Sequence, residues 1–515
     1  MYPGKWAPLQ PDKPAAIDSG SGEQITFAEL NDRSNQLAQL LYDRDLRRGD
    51  HIAIFTGNDL RYFEVAWAAL RSGLFFTTVN RSLTAEEAGY IVNDCEARAL
   101  VVSASLESVA QKIPDYAPKC DTLLSFGGPV SGYLALETEI EKFPASPLAE
   151  EPLGSFMLYS SGTTGRPKGV KHPLLDQSVA DDNDHHLFHQ QLWNFAEDTV
   201  YLSPAPIYHA APAFLSVSTQ ALGGTVVLMP KFDPLNALEA IERYRVTHSQ
   251  WVPTMFIRFL KLSEEDRTRF DLTSHTTAIH AAAPCPIEVK RKMLDWWGPI
   301  INEYYAGTEA PGSTHVTAEE WLRYPGTVGK SMGGPLHICD EEGRKLPPGE
   351  TGIIYFESAK TFDYHGDEKK KKDSIHPEHA NWVALGDVGY MNEEGYLFLT
   401  DRATFMIVSG GVNIYPQEIE NALIMHPKVE DVAVIGVPND EFGEEVKAIV
   451  QPIAGISHDD ELARELIMYA RETIAHYKCP KSVDFRDQLP RQETGKLYKR
   501  LLKDEYWGKE GSRIV

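Results

Sequence analysis

Residues 159–173, YSSGTTGRPKGVKHP, bring hydroxyls, glycines and cations into one short stretch. Positions 160–165 are all Ser, Thr or Gly, and Arg166, Pro167 and Lys168 close the run. Glycines let successive backbone N–H groups turn toward one point, and such nests bind anions. The hydroxyls add donors and the two cations add charge, so the chemistry offered is the gripping of a polyphosphate. The pattern G-x-x-x-x-G-K-[ST] is absent, and Pro167 disfavours an immediate helix start. A phosphate-gripping hairpin behind the apolar residues 156–159 is the expectation. An ordinary surface turn has the same composition, so composition alone leaves both readings open.

A second candidate is weaker. Residues 181–190, DDNDHHLFHQ, place His185 and His189 four apart, with Asp181, Asp182 and Asp184 nearby. That spacing could ligate zinc. No further ligand stands at a diagnostic spacing, so a polar surface loop and helix start is the better reading.

The elements that must position these residues follow a βα rhythm. Thr26, followed three residues on by Glu29, reads as a capping box opening a helix. HIAIFTGN reads as a strand, YFEVAWAALRSG as a helix closed by Gly73, and ALVVSA as a strand. The same alternation returns in TVVLMP, PLNALEAIERYRV and HSQWVPT. Strands alternating with helices indicate α/β architecture with parallel strands. After about residue 325 the texture changes to short strands joined by Gly and Pro turns, which suggests a small β-barrel or β-rich subdomain. A hairpin pattern, VEDVAVIGVPNDEFGEEVKAIVQP, and an amphipathic helix, DDELARELIMYARETI, mark a compact final portion. The boundary is expected at residues 401–404.

Bulk properties exclude several classes. The chain has 515 residues, more than one compact core holds, and a formal net charge of −24. That acidity argues against general nucleic-acid binding and against attraction to anionic membranes. The five cysteines are far apart with no C-x-x-C pair, which suits a reducing cytoplasm rather than a disulfide framework or zinc ribbon. The N-terminal residues, MYPGKWAPLQPDKPAAI, lack the apolar run of a signal peptide, and the final SRIV is not a peroxisomal address. Residues 204–230 carry no charge apart from His209, a length that could span a bilayer. Prolines 206 and 212, the Gly223–Gly224 pair and several hydroxyls favour a buried helix near 213–222 instead.

The string YSSGTTGRPKGV resembles the phosphate-loop signature of the adenylate-forming superfamily. YYAGTEA (304–310), LGDVGY (385–390), DRATFMIVSGGVNIYPQEIE (401–420) and PRQETGKLYKR (490–500) resemble four further blocks of that family, in its order. The resemblance covers almost the whole chain and is closest to bacterial fatty-acyl-CoA synthetases. It implies an α/β N-terminal domain over 1–400, with two αβ-layered sheets and a small β-barrel. A hinge at 401–404 and a mobile α+β lid over 405–515 would follow.

It also implies a two-step ligase that forms an acyl-adenylate from ATP with loss of pyrophosphate, then passes the acyl group to coenzyme A. By resemblance, Ser160, Ser161, Gly162, Thr163, Thr164 and Lys168 grip the β- and γ-phosphates. Thr308 contacts the α-phosphate and Glu309 ligates Mg2+. Tyr305, Ala282 and Ala283 wall the adenine; Asp387 accepts both ribose hydroxyls, and Arg402 reaches the ribose or phosphate. Lys496 bridges the carboxylate and the α-phosphate. Ser409, Gly410 and Gly411 line the coenzyme A channel. Thr404 falls at the hinge position, where relatives commonly carry Asp or Lys.

His209, Ala210, Trp251, Ala282 and Tyr305 are the implied acyl lining. Their apolar or aromatic character favours a fatty, aromatic or steroid side-chain acid. His209 as a hydrogen-bonded core histidine remains the alternative. The lysines 369–372 could meet a phosphate of coenzyme A, although a solvated loop is the simpler reading. Two rivals stay open: a ligase loading a separate carrier protein, and a silent acyl- or nucleotide-binding protein. A homodimer is compatible with the chain.

Overall fold

Two sheets carry the larger part of the chain in the computed structural model, which describes residues 1–160, 167–358, 363–365, 368–491 and 497–507. In the first, five strands run parallel: Ser155–Ser160, Phe75–Val79, His51–Phe55, Ala97–Ser103 and Thr122–Phe126. Short strands flank them, giving eight among the described residues. In the second, Pro14–Asp18, Thr225–Leu228, Val200–Ser203, His248–Trp251, Thr277–His280 and Ile301–Ala306 are parallel neighbours. From Ile301–Ala306 the pairing turns antiparallel through Ser313–Val316 and Thr327–Ser331. The Gly- and Pro-punctuated strands after residue 325 continue that antiparallel run, with Leu336–Cys339 at its edge, as part of one thirteen-stranded sheet.

The local elements form for the reasons legible in the chain. Thr26 Oγ1 accepts from the Glu29 N–H at 3.2 Å and Glu29 Oε2 accepts from the Thr26 N–H at 2.9 Å, capping the helix Phe27–Asp43. Such a cap stabilises a helix by about 1 kcal/mol. Leu30, Leu37 and Leu41 on its inner face are buried, and they pack with the helix Arg61–Leu70. The uncharged stretch forms the helix Ala210–Ala221, and no helix among the described residues is long and apolar enough to cross a membrane. Two of its buried polar side chains find partners: Gln220 Oε1 accepts from Trp67 Nε1 at 2.8 Å, and Thr219 Oγ1 donates to the Leu215 carbonyl at 2.8 Å. One core joins side chains of both sheets, with Ile54 and Phe76 from the first and Val226 and Ile279 from the second.

The C-terminal portion is a separate five-stranded sheet built on the hairpin Val429–Asn439 with Gly443–Pro452. Helices Pro416–Leu423 and Asp460–Thr473 cover one face through Ile419, Leu423, Leu462 and Leu466. The helix Lys499–Trp507 covers the other through Leu502. Lys261 of the larger body donates to Glu430 Oε2 at 2.7 Å, an ion pair between the two bodies. Both partners are about one-third exposed, so that pair contributes at most about 1 kcal/mol and weakens with salt.

Candidate functional site

The strands on either side of the hydroxyl-rich stretch pair with each other. Ser155–Ser160 pairs antiparallel with Lys168–Lys171, with Ser160 opposite Lys168. Tyr159 Oη donates to Asp94 Oδ2 at 2.6 Å, tying the hairpin to the helix Ala85–Asp94. A Cβ at Gly169 would lie 2.4 Å from Met157 Cε, so the end of that methionine would have to shift. Ser161, Gly162, Thr163, Thr164 and Lys496 lie outside the described residues, as does the side chain of Ser160.

Three residues on three different strands converge. Tyr305 Oη donates to Asp387 Oδ2 at 2.6 Å, and Arg402 Nε lies 3.1 Å from Asp387 Oδ1. Asp387 and Arg402 are cross-strand partners, so the register between Trp382–Met391 and Leu397–Arg402 sets their contact. Burial, with the Asp387 carboxylate beside it, pushes the Tyr305 hydroxyl well above its ordinary pKa, so it stays a protonated donor. Each carboxylate oxygen keeps a second lone pair, which leaves Asp387 able to accept two more hydroxyls.

Around this trio the backbone is strained. Ala282 has φ +76° and Ala310 φ +49°, both in the left-handed region that costs a residue with a Cβ about 1 kcal/mol. Ala282 and Ala283 are exposed and offer a thin wall, whereas Ala281 is buried. Thr308 and Glu309 are half-buried between the two strained positions. A Cβ at Gly307 would lie 2.7 Å from Leu385 Cδ2 and 2.9 Å from Glu309 Oε2, so glycine lets this loop close onto the strand that carries Asp387.

The acyl end differs from expectation at one residue. His209 and Ala210 are half-buried at the start of the helix Ala210–Ala221. Trp251 does not line an open site: it is 0 % exposed, donates from Nε1 to Ser249 Oγ at 2.6 Å, and packs on Phe259 and Trp297 at 5.1 and 5.5 Å. Side chains alternate along a strand, so its neighbour Gln250 turns the other way and its Oε1 accepts from Tyr201 Oη at 3.4 Å. By the same alternation Tyr304, not Tyr305, packs with Ala210 against the core that the two sheets share, with Trp193 6.1 Å away. Strand period applied to 250 and 304 would have found both residues.

The reading of 181–190 as a polar surface loop and helix start agrees with the structure at Asp181, Asp182, Asp184 and His185, which are exposed, and differs at two side chains. Asp184–Trp193 is a helix in which His186 and His189 are buried, and both Nδ1 atoms lie 2.8 Å from Ser218 Oγ. Among the described residues no group of three His, Cys, Asp or Glu could hold a metal ion. In the lysine run, Lys372 is exposed on the helix Glu368–Asp373.

At the expected hinge, Asp401 Oδ2 accepts from the Gln417 N–H at 3.0 Å. Thr404 lies in a single 3-10 turn, and its Oγ1 is buried with no partner among the described residues. Gly410 (φ +57°) and Gly411 (φ +79°) form the exposed turn that follows Ser409, and both conformations suit glycine. A Cβ at Gly410 would meet Phe442 Cδ1 at 2.9 Å.

The model of the AMP-binding enzyme family matches residues 4–363, and that of the AMP-binding enzyme C-terminal domain matches 418–496. A feruloyl-CoA synthase of an Amycolatopsis species is 31% identical, with 97% of each chain covered. The fatty acid–[acyl-carrier-protein] ligase ScoC of Streptomyces coeruleorubidus is 28% identical, covering 98% of this chain and 96% of its own. ATP-bound MatB from Rhodopseudomonas palustris has the same fold, with TM-score 0.79 and 28% identity over 99% of this chain and 100% of that one.

Proposed function

We propose, for this chain, which belongs to the AMP-binding enzyme family, that it is an ATP-dependent acyl-CoA ligase. The observation that carries this reading is the convergence of Tyr305 and Arg402 on the Asp387 carboxylate, together with the exposed wall of Ala282 and Ala283. Asp387 accepts the ribose hydroxyls, and the ring of Tyr305 lies against the base. The hairpin loop with Ser160, Ser161, Gly162, Thr163, Thr164 and Lys168 holds the β- and γ-phosphates, and Thr308 donates to the α-phosphate. A half-buried single carboxylate at Glu309 fits Mg2+, which takes one or two carboxylates together with substrate phosphates and water. When bound, the ion would neutralise phosphate charge.

In the first step an oxygen of the acid's carboxylate bonds to the α-phosphorus, and the bond to the pyrophosphate oxygen breaks. Lys496 sits between the two anions as a compact point charge. In the second step the thiolate sulfur of coenzyme A bonds to the acyl carbon and AMP leaves. The portion from 405 onward turns about 401–404 and presents Ser409, Gly410 and Gly411 to the pantetheine chain. His209 and Ala210 border the acyl group, which we take to be hydrophobic. All five cysteines are free thiols, as a reducing cytoplasm would keep them.

A second acceptor has specific support. The likeness to ScoC favours a carrier-protein thiol as the alternative to coenzyme A. Pyrophosphate release with Mg-ATP across fatty, aromatic and steroid acids, with and without coenzyme A, tests the proposal. An acyl-CoA product by mass supports it. Release without a thioester favours a carrier protein, and silence with every acid refutes the ligase reading for these classes.

A further inference from the structure

Three charged or ionisable side chains are buried directly beneath the nucleotide wall. His280 and Lys290 are 0 % exposed and Glu303 is 4 % exposed. Lys290 Nζ donates to Glu303 Oε2 at 2.6 Å, and His280 Nε2 lies 3.0 Å from the same oxygen. Lys290 Nζ also sits 4.9 Å from the centroid of the Trp321 ring. No step of the proposed mechanism uses them, and buried charges persist only when they are paired.

Their placement suggests a use. His280 ends the strand Thr277–His280, immediately before the wall 281–286. Lys290 lies in the first turns of Ile287–Trp297, the helix that begins immediately after the wall. Glu303 lies in Ile301–Ala306, two residues before Tyr305 and therefore on the same face of the strand. The Glu303 carboxylate thus ties the far end of the wall, through Lys290, to the strand that carries Tyr305, while at the near end His280 is the cross-strand partner of Glu303 itself. Between the two fastenings sits Ala282 at φ +76°, and such a conformation survives only where its surroundings over-determine it.

We infer that Lys290, Glu303 and His280 form a positioning clamp that sets the 281–286 wall at the spacing of an adenine ring from Tyr305. The inference rests on the ATP-binding reading above. A clamp on the base wall acts on the nucleobase and not on the phosphates, so it separates two ligands that share a triphosphate. ATP feels the clamp, and inorganic tripolyphosphate does not.

The test uses the full chain and calorimetric titration with each ligand. In Lys290→Met/Glu303→Leu an apolar pair replaces a buried ion pair, a change that cores often tolerate. His280→Leu is a second handle that leaves the ion pair in place. The double variant is expected to keep a cooperative melt and to bind ATP about tenfold more weakly, a loss of about 1.4 kcal/mol. His280→Leu is expected to lose less. Tripolyphosphate affinity should stay within about twofold in both, a difference too small to count as a lost contact. A folded variant that binds ATP as wild type does would overturn the clamp, as would equal losses for ATP and tripolyphosphate. If the double variant does not fold, His280→Leu decides by the same two ligands. A wild-type chain that binds neither ligand would overturn the site reading and the clamp with it.

Discussion

Replacing Asp387 by Asn should cost about thirtyfold in the KM for ATP, and the geometry says why. The carboxylate has two protein partners on different oxygens, Tyr305 Oη at 2.6 Å and Arg402 Nε at 3.1 Å. An amide offers one acceptor oxygen and one donor nitrogen. With its oxygen toward Tyr305, its NH2 group faces the Arg402 guanidinium, donor against donor, and the arginine must move away. Turned over, it opposes the Tyr305 hydroxyl instead. The ribose hydroxyls meanwhile lose a charged acceptor. Bonds to a charged group contribute about 1.5–3 kcal/mol and neutral ones about 0.5–1.5 kcal/mol, so the loss is about 1 kcal/mol per hydroxyl. Two hydroxyls give about 2 kcal/mol, or about thirtyfold. The assay is pyrophosphate release at saturating acid, with ATP and with 2′-deoxy-ATP. The variant should lose most of its preference for ATP over the deoxy analogue, while the KM for the acid moves less than about twofold. An unchanged KM for ATP, or a fully retained preference, would refute the assignment of Asp387 to the ribose.

Lys496→Ala should abolish pyrophosphate release yet leave thioester formation from preformed acyl-adenylate largely intact; equal losses in the two half-reactions would remove Lys496 from the first step. Gly411→Leu, at φ +79° on an exposed turn, should slow the thiol step preferentially, read as acyl-adenylate accumulating in a quench experiment. Normal coenzyme A turnover in that variant would take the turn out of the channel. Stability should fall on acidification from pH 7. Burial holds His51 and His275 at about 3 and lowers His186, His189, His248 and His280 below 6.5. Those rings are neutral when folded but take up protons when unfolded below 6.5, so each loses up to about 1.4 kcal/mol per pH unit there. Burial raises Glu64 to about 7 and also raises Asp59 and Glu420, which work in the opposite direction between 7 and the ordinary carboxylate range. Burial would raise Glu303 too, but His280 and Lys290 outweigh it and hold it at about 2, adding a further loss below 4.5. Six rings outnumber three carboxylates, so the urea midpoint should drop between pH 7 and 5; a flat or rising midpoint would contradict this.

The sequence by itself determined the chemistry and the order of the parts. Five motif blocks in one order carry the family, because each block is made from a few consecutive residues. The capping box at Thr26 and Glu29 was legible for the same reason: its partners are three residues apart. The strand-helix rhythm likewise announced the parallel sheets. Only the tertiary structure decided which face each side chain takes and which distant residues meet. Tyr305 and Asp387 are 82 positions apart and join through sheet order. Trp251 has the composition of a pocket wall, yet strand alternation sends it into the core beside Phe259 and Trp297. The i, i+4 pair His185 and His189 looks equivalent in the chain, yet helix packing leaves His185 exposed and closes His189, with His186, onto Ser218. Nothing in the chain marks Lys290 and Glu303 as partners. Their pairing exists only because a helix crosses the end of a strand thirteen positions away, burying one carboxylate and one ammonium where each must find the other.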